Sequence, residues 1–248
     1  MKKLPWILLF AAFWLALVVR ATPAQWGVWF ADPPLQMDGV SGTLWSGSAA
    51  SVVVPIQGGS YSLGSLKWKL KPLSLLTLSP CAEVETRLDI QTISGLACAG
   101  IGGDFTLEDM QLTVPAAAVA DLWALVKVEG DISVQLESAE FNQAAVTQLQ
   151  GKGSWTQARY HNSESWLGLG TIAFDLSEDG SGGLKAKIFD IEGPLKLDLN
   201  TQFSMSGAYD IRGNIDLRQE APVEIGQLLQ VIANQKGQNS FSVEWNGS

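Results

Sequence analysis

Cys81 and Cys98 are the only cysteines in the chain, and what two thiols can do depends on their compartment. In an oxidising one they can join as a disulfide; buried, they pack as small apolar side chains. No Cys-x-x-Cys pair occurs, and the single histidine, His161, cannot complete a common zinc cage. His161 stands in Tyr160-His161-Asn162-Ser163-Glu164, but a triad is a spatial arrangement and adjacency in sequence does not make one. Glu129, Asp131, Glu137 and Glu140 form an acidic run. Their spacing is that of strand alternation and lacks the loop pattern of a calcium site, so they read as a solvated face. Lys67, Lys69 and Lys71 form a basic row. It can meet anionic lipid headgroups or an acidic partner, or be a wet face that discourages edge pairing. There is no nucleophile elbow, P-loop, Rossmann glycine pattern or His-Glu-x-x-His. The chain therefore reads as no enzyme, with no metal and no cofactor.

The bulk properties point the same way. The 248 residues are 46% hydrophobic and only 17% charged, with a formal net charge of −9. Lys2, Lys3 and Arg20 are the only charges among the first twenty residues, so the remainder is strongly acidic. Such a body repels phosphate backbones, and nucleic acid is excluded as a partner.

Residues 4–19, LPWILLFAAFWLALVV, carry no charge. As a helix they span about 24 Å at 1.5 Å per residue, short of a hydrocarbon core of about 30 Å. Arg20 can snorkel outward and residues 21–30 can extend the span into the interface, where Trp26 and Trp29 would join an aromatic belt. The segment reads as an uncleaved anchor, with membrane lipid as its partner. A cleaved signal peptide is the competing reading, although Arg20 and Pro23 spoil the small-residue site around Ala21-Thr22-Pro23-Ala24. The lysine pair puts the amino end in the cytoplasm and the acidic body across the membrane.

Beyond Pro33-Pro34 period two dominates, the mark of half-buried strands. Residues 63–71 alternate most clearly, with Leu66, Trp68 and Leu70 on one side and the three lysines on the other. Trp45 and Trp68 read as core side chains. The frame apolar-x-Gly-x-apolar is centred on Gly42, Gly103, Gly130, Gly193 and Gly213 at irregular intervals, which excludes a solenoid of fixed period. It suggests strand starts, or one extended sheet of similar units. Residues 73–78 form an apolar run expected to tuck under the sheet. A turn is expected around Ser94-Gly95 and a bulge near Glu108-Asp109. A helix of about three turns is expected over 115–126, a strand pair around Gly151 and Gly153, and a hairpin turn over 178–183. A short helix is expected over 222–233, and a closing strand through Phe241, Val243 and Trp245. The expected fold is mainly β. An N-terminal transmembrane helix (1–30, with a cytoplasmic stub and interfacial segment) precedes one extended, curved, mostly antiparallel β-sheet domain (31–248) with one or two short helices.

Two elements in this order carry a resemblance. The first is Gly42-Thr43-Leu44-Trp45-Ser46-Gly47. The second is Leu66-Lys67-Trp68-Lys69-Leu70-Lys71-Pro72, followed by Leu73-Ser74-Leu75-Leu76. Placed after an anchor and a proline linker, they resemble the type II secretion system protein N family, most strongly over the first third of the chain. The motif residues are Gly42, Thr43, Leu44, Trp45, Gly47, Leu66, Trp68, Leu70 and Pro72; the cysteine pair has no place in the pattern. The resemblance implies a bitopic inner-membrane component with a periplasmic body. Its partners would be the inner-membrane platform and the outer-membrane secretin. The glycine-centred strands also resemble, more weakly, the AsmA-like envelope proteins. That likeness implies a curved sheet with a greasy concave face and, as the alternative function, lipid handling.

Overall fold

A computed structural model describes residues 10, 14, 17–31, 35–56, 59–100, 102–121, 127–142, 145–162 and 164–247. Most of the expected anchor, residues 4–19, lies outside them, as does the end of the helix expected over 115–126. Among the described residues no helix is long and apolar enough to cross a membrane. The chain divides into two compact units, Met1–Asp89 and Ile90–Ser248, at a point that no composition shift marks.

In the first unit, residues 17–20 are helical and exposed, and a turn at Ala21 ends that helix. A second helix follows, α1 (Ala24–Ala31), so the expected interfacial extension is a separate element. The strands are β1 (Gln36–Asp38), β2 (Ser41–Gly42), β3 (Ser46–Ile56), β4 (Gly59–Lys71) and β5 (Cys81–Leu88). All pair antiparallel: β1 and β2 on β3, β3 on β4, β4 on β5. Register puts Leu66, Trp68 and Leu70 opposite Thr86, Val84 and Ala82, while Lys67 and Lys69 face Glu85 and Glu83. The alternation over 63–71 is thus one face of the sheet, and the lysine row lies beside a glutamate row. Residues 73–78 do not tuck under the sheet. They belong to a 3₁₀ turn, Pro72–Thr77, with no buried residue.

The second unit is an antiparallel succession in chain order: β6 (Gln91–Ala99), β7 (Phe105–Pro115), β8 (Val128–Phe141), β9 (Val146–His161), β10 (Trp166–Glu178), β11 (Leu184–Glu192), β12 (Leu195–Phe203) and β13 (Tyr209–Leu217). β15 (Ser240–Gly247) then pairs with β13, and β14 (Asn234–Gln235) pairs with the far side of β15. Helix α2 (Ala116–Asp121) follows β7, and α3 (Val223–Ile232) intervenes between β13 and β14. Ile225 and Leu229 lie one turn apart on α3, so they share a face. That face packs on Leu167, Leu195, Leu197, Ile215, Phe241 and Val243. A second cluster centres on Ala139, Val146 and Leu149. Each large apolar side chain so buried contributes about 1.5–3 kcal/mol.

Glycine geometry explains where the sequence reading holds and where it does not. The central glycine of all five frames has a positive φ, from +82° to +156°. The frame therefore marks a bulge at Gly130, a strand end or turn at Gly42, Gly103 and Gly193, and the interior of β13 at Gly213, rather than strand starts. Asp109 has φ +50°, and the β6–β7 register shifts opposite it, between Ser94 and Leu96. That is the expected phase shift. Ser94-Gly95 is this bulge and no turn; the chain turns at Asp89-Ile90 instead. Gly151 and Gly153 do not separate two strands but sit inside β9. A Cβ on Gly151 would lie 2.6 Å from the Leu136 side chain, and one on Gly153 2.4 Å from the Phe174 ring. These glycines make room for cross-strand neighbours. In the 178–183 loop, Asp179 Oδ1 accepts from the amides of Gly183 and Ser181, at 2.8 and 2.7 Å. Those bonds hold its carboxyl below the usual aspartate range.

Gly130 and Gly168 provide a matched test. Gly130 has φ +111°, and an added Cβ would lie 2.4 Å from the Thr156 carbonyl oxygen; Gly168 has open space. Gly130→Ala should destabilise by about 1–3 kcal/mol, and Gly168→Ala should stay within about 0.5 kcal/mol of wild type. Urea unfolding followed by circular dichroism measures both; equal effects would contradict the backbone-strain account.

Candidate functional site

Most of the motif residues named from the sequence converge on one place in the first unit, the junction between the helical segment and the sheet. Thr22 and Pro23 run beside Thr43 and Leu44. Pro23 forms a bridge with Thr43, and the Leu44 amide donates to the Thr22 carbonyl at 2.9 Å. The Trp45 indole N–H donates to the carbonyl of Val19 at 2.8 Å. Val19 lies in the last turn of the helix before Ala21, where carbonyls lose their intrahelical donors, and its carbonyl accepts a long bond, 3.4 Å, from the Thr22 amide. The indole adds a shorter one from a residue 26 positions away.

The sheet side is tied as firmly. Thr43 closes the bend between β2 and β3: its amide donates to the Ser46 carbonyl at 2.9 Å, and its Oγ1 accepts from the Ser46 amide at 3.2 Å. The Leu70 amide donates to the Trp45 carbonyl at 2.8 Å. The Trp68 indole donates to the Leu44 carbonyl at 3.1 Å. Gly47 pairs with Trp68, and a Cβ there would lie 2.3 Å from the indole ring. Gly42 takes φ +88° with its backbone against Ser46 and Gly47. The motif spacing thus has a mechanical reason. Glycines let the bend and the indole approach closely, and the two tryptophans bond the bend to its neighbours on both sides.

This corrects the reading of Trp45. It sits in the bend between β2 and β3 rather than on a strand's apolar face, and its polar edge engages the helix. Trp45 and Trp68 are both half-buried, so neither is a fully enclosed core ring. Leu66 lies farther along β4, opposite Ala49, and Pro72 opens the 3₁₀ turn. Sequence reasoning missed Val19, Thr22, Pro23 and Gly27. A Cβ on Gly27 would lie 2.5 Å from Leu44 Cδ1; a glycine inside the short helix α1 is the signal that pointed there.

The remaining candidates serve structure. Cys81 opens β5, and its amide donates to Ser74 Oγ at 2.8 Å. Cys98 is buried in β6, and neither cysteine is free. The His161 ring packs edge-on against Trp166, with centroids 4.9 Å apart. Glu129 pairs with Arg159 at 3.6 Å, and Lys71 with Glu83 at 3.5 Å; exposed pairs of this kind contribute at most about 1 kcal/mol. Asp190 bonds Arg218 and accepts from the Leu197 amide at 2.7 Å. Among the described residues no group of three or more His, Cys, Asp or Glu could hold a metal ion.

Residues 33–244 match the family model described as type II secretion system (T2SS), protein N. The chain is 29% identical over 244 residues to a type II secretion system protein N of Aeromonas hydrophila, covering 93% of this chain and 89% of that protein. It is 28% identical over 179 residues to the protein so named in Vibrio cholerae, covering 68% and 69%. It is 22% identical over 244 residues to that of Klebsiella pneumoniae, covering 97% and 94%. No solved structure matches the chain significantly.

Two substitutions separate the halves of the junction. Trp45→Phe keeps a ring but removes the donor to Val19, and should cost about 0.5–1.5 kcal/mol. Gly47→Ala forces the Trp68 ring away and should cost about 1–3 kcal/mol. In ¹H–¹⁵N spectra the Trp68 indole peak should move in the glycine variant and hold its position in the Trp45 variant. An unmoved peak in Gly47→Ala would contradict the packing described.

Proposed function

We infer the function of this chain from its family: it belongs to the type II secretion system protein N family, and we propose that it is a non-enzymatic, single-pass inner-membrane component of that system. In this reading it supports the export of folded proteins from the periplasm across the outer membrane. The observation that carries the proposal is the family match over residues 33–244, nearly the whole body beyond the anchor. The partners proposed are the inner-membrane platform and the outer-membrane secretin.

The topology proposed is a cytoplasmic amino end, residues 4–19 in the bilayer and a periplasmic body. The lysine pair before the apolar run supports it. So does the junction, which gives the helix a fixed seat on the first sheet. A freely jointed tether would not need an indole bond, an amide bond and a backbone bridge to the sheet. We further propose that Cys81 and Cys98 pair with each other, since neither is free and the chain has no other cysteine.

Deleting the gene should leave exoproteins in the periplasm while their export across the inner membrane stays normal. The whole protein should restore secretion; residues 31–248 behind a cleavable signal should not. Normal secretion with altered outer-membrane permeability would overturn this reading in favour of lipid handling.

For the cysteines, alkylation of denatured, unreduced protein should label no thiol. Reduction should expose both and remove about 3 kcal/mol of stability. Two reactive thiols before reduction would refute the pairing.

A further inference from the structure

The 3₁₀ turn after β4 has no place in the junction, yet it is the most exposed apolar feature of the first unit's sheet. Leu73, Leu76 and Leu78 are 78%, 81% and 64% exposed. Residues 72–80, PLSLLTLSP, contain no charge. A cluster of bare leucines on a surface turn calls for an apolar partner.

The turn is also built to leave water. Its hydroxyls are consumed internally: Ser74 Oγ donates to the Lys71 carbonyl at 2.6 Å, and Thr77 Oγ1 to the Ser74 carbonyl at 2.8 Å. The Leu78 amide donates to the Leu75 carbonyl at 3.2 Å, and the Ser79 amide to the Ser74 carbonyl at 3.3 Å. Ser74 Oγ accepts in turn from the Cys81 amide. A segment entering hydrocarbon must satisfy its polar groups within itself.

Its position selects the partner. The turn leaves β4 at Lys71, one residue beyond Leu70. Leu70 is bonded to the Trp45 carbonyl, and the Trp45 indole to the Val19 carbonyl of the apolar helical segment. Turn and helix therefore issue from the same end of the sheet. Lys71, at the base of the leucines, is paired with Glu83 at 3.5 Å, so the leucines themselves carry the contact. We propose that the turn Pro72–Thr77 and Leu78 dip into the bilayer as a second, interfacial contact beside the anchor helix. The contact rests on the reading that residues 4–19 enter that bilayer. A helix alone leaves a body free to swing, whereas two contacts fix its tilt. A shallow apolar insertion is a sufficient second contact when a first tether is already in place.

The test uses the full chain in vesicles of phosphatidylethanolamine and phosphatidylglycerol. A photoreactive benzophenone amino acid is placed in turn at Leu76, at Trp14 in the helical segment, and at Leu88, which is 39% exposed at the end of β5 away from the turn. Lipid adducts should form at Leu76 and Trp14 and be absent at Leu88. Adducts at Trp14 with none at Leu76 overturn the second contact and leave the anchor standing. Adducts at Leu76 without Trp14 sustain the turn and overturn the anchor. Capture of another protein copy, or equal adducts at Leu76 and Leu88, overturns the proposal. In a second variant, Leu73→Glu combined with Leu76→Glu should abolish lipid capture by a probe at Leu78 with no change in Tm. Unchanged capture would also overturn it.

Discussion

The indole N–H is the interaction on which the irregular parts of this molecule depend. A tryptophan carries one donor and no acceptor on a large apolar ring. Here that donor is repeatedly spent on a backbone carbonyl at a helix end, a bend or a bulge. Trp45 bonds Val19, Trp68 bonds Leu44, Trp155 bonds Glu129 and Trp245 bonds Ile232, at 2.8 to 3.1 Å. Val19 and Ile232 lie at helix ends, where carbonyls want a donor; Leu44 lies in a bend and Glu129 beside a bulge. Ladders fix the strands by themselves. What they cannot fix is how a helix end or a bend lies against the sheet, and the indoles do that.

Close approach is the second half of the same device. Trp68 lies over Gly47, and Trp155 reaches past Gly130. A Cβ at either position would collide with the ring or with the backbone beside it. Gly130 is further confined by its φ of +111°, which side chains resist. Ring and glycine must therefore change together, so a motif built on them tolerates little single substitution. The junction shows this most fully, because the bend between β2 and β3 is bonded there to the helical segment on one side and to β4 on the other.

Among the described residues, several charged side chains are paired with one another or with the backbone. The lysine row of β4 lies against the glutamates of β5, so its field is largely cancelled at short range. The titratable groups with a described partner serve packing and turns. Asp179 ties its own loop, and Asp190 with Arg218 holds the turn between β11 and β12. Arg218 also donates to the Gly193 carbonyl at 2.8 Å. The secretion role and the bilayer contact proposed for this chain both ask that its surfaces be held in place.

The sequence by itself determined the strands. Period two over 63–71 and 128–141 returned as β4 and β8, because side-chain direction in a strand is local and alternates whatever surrounds it. It also determined the closing strand, the helix over 222–233 and the family, whose motif is two short strings in a fixed order. Only the tertiary structure decided what the punctuation meant. Gly95, Gly151 and Gly153 look alike in sequence. One marks a bulge and two make room for a leucine and a phenylalanine on adjoining strands, because the neighbour that needs the space is remote in sequence. Likewise Trp45 reads as core from its alternation and proves to be a donor to Val19, 26 residues earlier. The leucines of 73–78 read as buried from their hydrophobicity and stand exposed. Burial is a property of what folds over a residue, and nothing local to that turn says that nothing does.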